Sequence, residues 1–321
     1  MSIQLINPLT RSPLEEVSGK LIDQDGVVFP LQNGAFRLVT DENYSVNFGF
    51  QWNKFAKTQI DRIQYGINQS YERFFSVTRW DKEDLNGKNV LEVGSGAGRF
   101  SQIVLEHTSA NLFSVDYSNA VEANFKNNGP NDRLTLLQAS IYSLPFKPSQ
   151  FDKVFCFGVL QHTPDFKLSV KSLVEMVKPG GELIVDFYPI TGWHTKIHSK
   201  YLLRPFTKKM KSENLLARIE TNANRLIAAY KFFDRMGIGK LINRFLPICD
   251  IKSTIPRGLS KAALREWVIL DTFDMFSPAY DNPQRATTVA RWFEEFGMLH
   301  VKSAMVKYGD GNSVSVVRGI K

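Results

Sequence analysis

Three glycines at alternate positions mark the place in this sequence where the backbone is best suited to hold a ligand. Gly94, Gly96 and Gly98 follow a short apolar run, and helical spacing resumes at residues 100–107. Glycine tolerates the left-handed backbone of such a turn and lets a ligand approach closely, and the helix that follows offers free N–H groups. A dinucleotide fingerprint would need its third glycine at position 99, where the chain has Arg99. The spacing therefore disfavours a pyrophosphate and favours a smaller nucleoside ligand.

Two acidic residues flank this turn. Asp116 ends a second apolar run, 22 residues after Gly94. An ionised carboxylate has two accepting oxygens, so Asp116 is suited to hold both hydroxyls of a ribose. Asp is also a favoured helix cap, which is its alternative role at a strand-to-helix turn. The position of Asp116 relative to the glycines favours the ribose, and Glu92, just before the turn, is unusual for a dinucleotide site.

Short apolar runs alternate with helical segments on both sides of the turn. The predicted strands cover residues 89–94, 111–116, 134–138, 153–160 and 182–188, and the predicted helices cover 100–107, 118–128 and 165–177. The strands are apolar throughout, as expected for a parallel α/β sheet with helices on both faces. A helix at 286–297 and two strands at 300–308 and 313–319, joined by a glycine-rich turn, close the chain. That hairpin predicts one antiparallel strand at the edge of the sheet.

Four motifs, in order and at family spacing, resemble those of the class I S-adenosylmethionine-dependent methyltransferases. They are the turn VLEVGSGAGRF, Asp116, the stretch FDKVFCFGVLQHTPD at 151–165 and the stretch LVEMVKPGGELIVDFY at 173–188. The resemblance implies a Rossmann-like, doubly wound sheet of seven strands with a reversed last strand. A weaker similarity, over nearly the whole chain, is to type-11-like bacterial methyltransferases of surface-polysaccharide and lipid-linked glycan pathways.

The same resemblance implies a cofactor and the residues that bind it. The cofactor is S-adenosyl-L-methionine, with S-adenosyl-L-homocysteine as its product, and no metal is implied. Glu92 would contact the amino end of the methionine, Asp116 the ribose and Tyr117 the adenine. The residues implied around the rest of the cofactor are Gly94, Ser95, Gly96, Gly98, Ser140, Ile141, Phe157 and Gly158. Relatives often have Asp in place of Ser140, although a hydroxyl can still bond the adenine amino group.

His162 is the candidate catalytic residue. Methyl transfer is an in-line displacement that requires an aligned acceptor and, for a hydroxyl acceptor, removal of its proton. His162 follows the fourth strand, where it would face the methyl group, and could act as that base. Its alternative role is to order the loop before Pro164, since hydrogen-bonded structural histidines are common. Weaker candidates for holding the acceptor are Tyr188, Arg204, Asp271, Asp274 and Tyr280.

The order of these segments predicts four parts of the chain. Residues 1–45 form a small β-rich unit, 46–190 the methyl-donor-binding core, 191–285 a basic, mainly helical insert that covers the acceptor, and 286–321 the helix and hairpin that complete the sheet.

Neither of two resemblances to metal sites brings a full set of ligands. The N-terminus is similar to a small zinc ribbon found on some methyltransferases, but it lacks thiolates, so we predict no zinc there. His194 and His198 have the i, i+4 spacing of a helical metal pair without the glutamate of that motif, so we expect exposed histidines in a basic helix. The residues at the positions of the ribbon's cysteines are Asn7, Thr10, Asp23 and Gly26.

Positive charge is concentrated in one segment. The chain has 40 Lys and Arg against 32 Asp and Glu, a net charge of +8, while residues 193–262 hold 15 basic and 4 acidic residues, a net of +11. This concentration indicates an anionic partner rather than a generally basic protein. It predicts recognition of phosphate or of an anionic membrane surface, the alternative being a solvated helical cap. We therefore expect a small-molecule or lipid-linked anionic acceptor and peripheral membrane contact through 193–262.

Composition narrows the class of protein further. Apolar residues make up 43% and charged residues 22%, as in globular proteins, and neither a spanning run nor a secretory signal is visible. Two cysteines, Cys156 and Cys249, cannot form a disulfide framework, so a cytoplasmic location, peripheral to the inner face of the membrane, is expected. Methyl transfer to a sugar, glycan or lipid-linked acceptor is the leading hypothesis. The alternatives are an RNA methyltransferase, which no RNA-binding motif supports, and a non-catalytic binding protein that retains the donor fold.

Overall fold

A computed structural model describes residues 3–39, 43–63, 66–190, 192 and 197–321 of the chain. The strands are β1 (Leu14–Val17), β2 (Lys20–Asp23), β3 (Val28–Gln32), β4 (Ala35–Arg37), β5 (Asn89–Val93), β6 (Asn111–Asp116), β7 (Leu134–Gln138), β8 (Phe151–Phe157), β9 (Val177–Phe187), β10 (Leu299–Tyr308) and β11 (Asn312–Ile320). The helices are α1 (Val46–Lys54), α2 (Gln69–Thr78), α3 (Arg99–His107), α4 (Val121–Asn128), α5 (Phe166–Met176), α6 (Ser199–Thr207), α7 (Ser212–Arg235), α8 (Gly239–Asn243), α9 (Ile251–Thr254), α10 (Lys261–Phe276) and α11 (Ala286–Glu295).

The strands form one sheet in the order β1-β2-β3-β4-β7-β6-β5-β8-β9-β11-β10. Strands β7, β6, β5, β8 and β9 are parallel to one another, and β11 pairs antiparallel with both β9 and β10. The mostly parallel Rossmann-like α/β fold is therefore confirmed. The antiparallel strand predicted at the edge is instead β11, which lies between β9 and the edge strand β10. The chain runs from β5 outward to β6 and β7 and then returns to β8, so the carboxyl ends of β5 and β8 flank a switch point where ligands bind in such folds.

The parallel strands are buried on both faces of the sheet. In β5, Val90 packs on the side of α2 with Phe74, and Leu91 packs on the side of α5 with Leu173. A strand covered on both sides gains stability from apolar residues at every position, which explains the continuous apolar runs in the sequence.

The N-terminal strands extend the central sheet. Strand β4 pairs in parallel with β7, with Phe36 opposite Leu137 and Arg37 opposite Gln138. The seven strands predicted from the sequence are thus β5–β11, and β1–β4 continue the sheet from its β7 edge to eleven strands. This pairing joins segments about a hundred residues apart, so local spacing could not predict it.

Hydrogen bonds join the N-terminal loops where the related zinc ribbon has cysteines. Asn7 Nδ2 donates to Asp23 Oδ2 at 2.6 Å, the N–H of Val27 donates to Asp23 Oδ1 at 2.8 Å, and the N–H of Gly26 donates to the Asp23 carbonyl at 3.1 Å. Burial opposes ionisation of Asp23, but the bonds from Asn7 and Val27 outweigh it and lower the pKa of the carboxyl. A carboxylate-centred network therefore holds these loops, and the expectation of no zinc stays a prediction.

The insert packs against the carboxyl edge of the sheet. Leu215 and Ile219 of α7 are buried beside Phe273 of α10. Asp274 of α10 accepts a hydrogen bond from the hydroxyl of Tyr188, directly after β9, at 3.2 Å. The helices of the insert are therefore in place to form one wall of a ligand site.

Of the two histidines predicted to lie in a basic helix, only His198 can be compared with the structure. His194 lies outside the described residues. His198 is the N-cap of α6 rather than part of the helix, and its ring accepts the N–H of Lys200. None of the helices in the described ranges is long and apolar enough to cross a membrane.

Candidate active site

The glycine turn joins β5 to α3 through a left-handed backbone. Gly94, Gly96 and Gly98 have φ angles of 85°, 52° and 82°, a region that strains any residue with a Cβ. A Cβ on Gly94 would also lie 2.2 Å from Val159 Cγ2, and one on Gly98 would lie 2.2 Å from Asn124 Oδ1. Both the backbone angles and the close neighbours therefore require glycine here.

Asp116 lies at the end of β6, beside the turn. Its Oδ2 accepts the N–H of Gly96 at 2.8 Å, and its Oδ1 accepts the N–H and the hydroxyl of Ser118 at 2.8 and 2.7 Å. Burial raises the pKa of Asp116, and the bonds from Ser118 and Gly96 oppose that rise. The N-cap of α4 is Ala120, so Asp116 does not cap that helix. Its carboxylate is instead fixed at the edge of the glycine turn.

Glu92 is enclosed beneath the turn. Its Oε2 accepts the hydroxyls of Ser101 and Ser114, the latter at 2.9 Å, while Oε1 is buried and has no partner among the residues described. Burial raises the pKa of Glu92 to about 7, against the two hydroxyl bonds. Its contact with the methionine amino end stays a prediction, for which Oε1 is the free atom.

Residues at the ends of β6 and β7 lie on the adenine side predicted for the cofactor. The ring centroid of Tyr117 lies 5.1 Å from that of Tyr44. Ser140 Oγ accepts the N–H of Tyr142 at 3.2 Å, and Ile141 is buried. Because β6 and β7 are adjacent and parallel, the structure brings Tyr117, Ser140 and Ile141 to one edge. Their contacts with adenine stay predictions.

Gly158 turns the chain at the end of β8. Its φ angle is 72°, so the strand predicted at 153–160 is too long, and its last residues form a turn that packs Val159 against Gly94. Apolar Val and Leu after the glycine imitate a strand in the sequence, but the left-handed backbone ends it. The side chain of Phe157 belongs to an aromatic cluster of the core, which leaves only its backbone to face the site.

His162 lies four residues after Gly158 with a buried side chain. Its Nδ1 lies 3.1 Å from the carbonyl oxygen of Tyr280. A carbonyl can only accept, so Nδ1 carries the proton and Nε2 the lone pair. Nε2 is buried and has no hydrogen-bond partner within the described ranges. Burial lowers the pKa of His162, so the ring is neutral and able to accept a proton near pH 7.

Three of the predicted acceptor residues, Tyr188, Asp274 and Tyr280, lie near His162. The ring of Tyr188 meets the His162 ring edge-on at 5.8 Å, and Asp274 and burial together raise the pKa of the Tyr188 hydroxyl well above its ordinary value. Burial and the neighbouring Asp274 raise the pKa of Asp271 to about 7. Tyr280 reaches His162 through its backbone oxygen. Tyr188 and Asp274 therefore bring a hydroxyl and a carboxyl group to the side of His162, and the contacts of all four residues with an acceptor stay predictions.

The side chain of Arg204 is buried, although Arg204 belongs to the basic insert. Its guanidinium is buried, donates to the carbonyls of Pro278 and Tyr280 at 3.0 and 2.7 Å, and pairs with Asp281 at 2.8 Å. Asp281 also pairs with Lys200 at 2.9 Å. Arg204 was predicted only as a candidate for holding the acceptor, and its donors are instead taken by backbone carbonyls and Asp281. Arg204 positions the loop that contacts His162.

An ion pair near Gly158 was not predicted from the sequence. Arg73 of α2 donates to Asp186 Oδ2 through two nitrogens, at 2.7 and 3.1 Å, and lies 3.8 Å from the position of a Cβ on Gly158. Asp186 raises the pKa of Arg73 against burial. The segment that carries Arg73 has no recognisable motif, so only the fold reveals this cation.

Two further side chains beside the glycine turn were also missed as site residues. Trp52 lies against Gly96, with its Nε1 3.0 Å from the position of a Cβ there. Arg99 donates to Gln59 at 2.6 Å, and burial together with the nearby Arg73 lowers the pKa of Arg99 to about 10. The sequence could have indicated Arg99 as a site residue, because it directly follows the third glycine of the turn.

The residues present fit S-adenosylmethionine. Asp116 offers carboxylate oxygens beside the glycine turn, Glu92 Oε1 is buried beneath it without a partner among the described residues, and the ion pair of Arg73 with Asp186 lies near Gly158. Ser95 Oγ is buried without a partner in the part of the chain described. A nucleoside that carries an amino-acid group matches this combination of hydroxyl, carboxylate and cationic groups.

Comparison with known proteins agrees with this site. Residues 91–185 match the family model described as a methyltransferase domain. A tRNA U34 carboxymethyltransferase of Nautilia profundicola is 31% identical over 160 residues, which are 49% of this chain and 51% of that protein. A ubiquinone biosynthesis O-methyltransferase of Coxiella burnetii is 34% identical over 101 residues, 31% of this chain and 43% of its own. This chain spans about half the length of the curated relatives it matches.

Two solved structures are more distant. A chain of a Haloferax volcanii complex that contains the Trm112 methyltransferase activator aligns over 88% of this chain and 98% of its own, with 13% identity and a TM-score of 0.49. PigF with SAH aligns over 87% of this chain and 60% of its own, with 12% identity and a TM-score of 0.47. The family match covers residues 91–185, and the strand order and the glycine turn agree with a methyltransferase domain in that segment.

Proposed function

We propose that this protein transfers a methyl group from S-adenosylmethionine to a hydroxyl of a small-molecule acceptor. The observation that carries the proposal is the contact of His162 Nδ1 with the carbonyl oxygen of Tyr280 at 3.1 Å, which leaves Nε2 as the nitrogen with the lone pair. When bound, the cofactor supplies a methyl group on a sulfonium, so the carbon is already activated. The donor would supply this methyl group to the acceptor oxygen and leave as S-adenosylhomocysteine, and Nε2 of His162 would take the proton that the hydroxyl loses.

The remaining residues of the site would hold the cofactor and orient the ring of His162. Asp116 and the glycine turn would hold the ribose end of the cofactor, and the guanidinium of Arg73, which is paired with Asp186, would also attract its carboxylate. Tyr280 and Arg204 keep the His162 ring in the tautomer that leaves Nε2 free, because the carbonyl of Tyr280 accepts from both side chains. Positioning of this kind supplies much of the rate in transfer reactions.

The acceptor we propose is a sugar, glycan or lipid-linked compound that carries negative charge. Tyr188 and Asp274 offer hydroxyl and carboxyl groups that pair with sugar hydroxyls. Lys208 and Lys211 line a groove of about 530 Å³ that also includes Tyr44, a contact of Tyr280. The groove thus combines positive charge at its rim with a route toward the site.

A label-transfer screen tests this proposal. The full chain is incubated with methyl-radiolabelled donor and with sugar nucleotides, glycolipids or neutral sugars, and the purified products are counted. We expect labelled product with anionic sugar compounds and none with the His162→Gln variant. Transfer that is equal for neutral sugars would refute the charge requirement, and undiminished transfer by the variant would refute the base.

Methylation of RNA is the second candidate function. The similarity to a tRNA U34 carboxymethyltransferase over 160 residues favours it, as does the basic insert. Nitrocellulose-filter binding of bulk tRNA at rising salt concentration distinguishes the two functions. Tight binding with a steep salt dependence, together with label transfer to tRNA, would favour RNA over a small molecule.

A further inference from the structure

An apolar face is exposed on the basic insert. Helix α6 exposes 70% of Leu202 and 74% of Phe206, with Leu203 also exposed between them. These residues are spaced i, i+1 and i+4 and lie on one side of the helix, opposite the buried Arg204. Exposed large apolar side chains that cluster on one helix face indicate a contact surface rather than random exposure.

The face continues onto α8. Ser199 lies on the same side of α6 as Leu202 and Phe206, at positions i, i+3 and i+7. Its N–H donates to the carbonyl of Arg244 at 2.7 Å, and its hydroxyl donates to the carbonyl of Leu246, also at 2.7 Å. The chain at 244–246 therefore borders this face. The α6–α8 surface, as we define it, consists of Leu202, Leu203, Phe206, Leu241 and Phe245, all exposed.

Positive charge flanks the α6–α8 surface. Lys209 follows α6 on the side of Leu202 and Phe206, and Lys240 precedes Leu241; both are exposed. The surrounding segment, 193–262, has a net charge of +11. Apolar side chains flanked by lysines are the composition of helices that lie in the interface of an anionic bilayer.

We propose that the α6–α8 surface docks this protein on an anionic lipid bilayer. The charge complementarity favours lipid headgroups over a second copy of the chain, since two copies would bring their lysines together. The opposite side of α6 leads to the active site: Arg204 donates to the carbonyl of Tyr280 at 2.7 Å, and the same oxygen lies 3.1 Å from His162. A docked α6 would thus place the site one helix diameter, about 10 Å, from the lipid. The link to a lipid-borne acceptor rests on the proposed function, but the docking does not.

Sedimentation with vesicles tests the docking. The full chain is mixed with vesicles of phosphatidylcholine alone, or of phosphatidylcholine with a third phosphatidylglycerol, and the bound fraction is measured. We expect binding to the anionic vesicles only. The variant Leu202→Gln/Phe206→Gln should bind at least tenfold more weakly, and Lys209→Gln/Lys240→Gln roughly fivefold more weakly per lysine removed. The matched control is Leu9→Gln, a side chain 86% exposed on the N-terminal unit, which should bind like the parent.

Each outcome decides the proposal. No binding to anionic vesicles, or equal binding by the Leu202→Gln/Phe206→Gln variant, would overturn it. A dimer in light scattering that this variant dissociates would assign the surface to a second copy instead. Donor binding, measured by calorimetry with S-adenosylhomocysteine, is read separately, so loss of the proposed function would leave the docking result standing. Circular dichroism melting of each variant confirms that the fold is retained.

Discussion

The Nδ1 atom of His162 lies 3.1 Å from the carbonyl oxygen of Tyr280. This contact determines which nitrogen of the ring is free, because the carbonyl requires a proton on Nδ1. Arg204 donates to the same oxygen at 2.7 Å. Arg204 of the insert and His162 of the loop after β8 therefore share one hydrogen-bond acceptor. Tyr280, 118 residues after His162, thereby determines which nitrogen of the His162 ring can accept a proton.

Replacing His162 with Gln should reduce turnover by about 10²- to 10⁴-fold, because the base that takes the acceptor proton is lost. Burial lowers the pKa of the ring, so the parent protein should be fully active near neutral pH and lose kcat/KM only below pH 6.5. His300→Gln, an exposed histidine on β10, serves as the control. An acidic limb of the pH profile that persists in His162→Gln would assign it to another group.

Replacing Gly94 with Ala should destabilise the fold through two separable effects. A left-handed φ of 85° costs an alanine about 1 to 2 kcal/mol, and the contact with Val159 adds about 1 to 3 kcal/mol. Gly180→Ala is the matched control, since its φ is 77° and nothing lies within 4 Å of its Cβ position. Urea unfolding measures both variants.

The Gly94→Ala/Val159→Ala double variant isolates the contact. Removing the methyl groups of Val159 should recover part of the loss that exceeds the Gly180→Ala control, giving a favourable coupling in the double-mutant cycle. If the losses in the free energy of unfolding are additive, the side chain of Val159 moves aside at little cost. Backbone strain alone would then explain why residue 94 is a glycine.

Replacing Glu92 with Gln should stabilise the protein at pH 8 and change it little at pH 5. The folded pKa of about 7 lies above the ordinary 4.5, so folding binds a proton. The stability from that proton is complete below pH 4.5 and is lost as pH rises through 7. The rise corresponds to about 3 kcal/mol, which Gln avoids because it carries no charge. Urea unfolding at both pH values measures the difference, and an equal effect at pH 5 and 8 would contradict the assignment.

Much of the fold could be predicted because its signals are local. The strands β5–β8 and the part of β9 from Leu183 onward are mostly apolar, the glycines precede a helix, and the closing hairpin has a glycine-rich turn. The extension by β1–β4 could not be predicted, because Phe36 meets Leu137 only in the folded sheet. Helix α4 also begins at Val121, later than Ser118, since Ser118 bonds to Asp116 instead of capping the helix.

The candidate site was predicted where one motif holds several residues and missed where it is built from distant segments. Gly94 and Asp116 come together because neighbouring parallel strands end at one edge. Arg73 and Trp52 reach the same place from helices without a motif, and no spacing rule connects them to the glycines. Arg204 was named from the sequence, but its surroundings could not be predicted. It lies in a basic segment, yet it is buried and donates to backbone carbonyls.

Isothermal calorimetry with S-adenosylhomocysteine tests the central claim that the glycine turn and Asp116 form the donor site. The parent chain should bind the nucleoside, and Asp116→Ala should bind about 10- to 150-fold more weakly, the loss expected for hydrogen bonds to a charged group. Asp132→Ala, an exposed acid, should bind like the parent. Absence of binding by the parent, or equal binding by Asp116→Ala, would contradict the account.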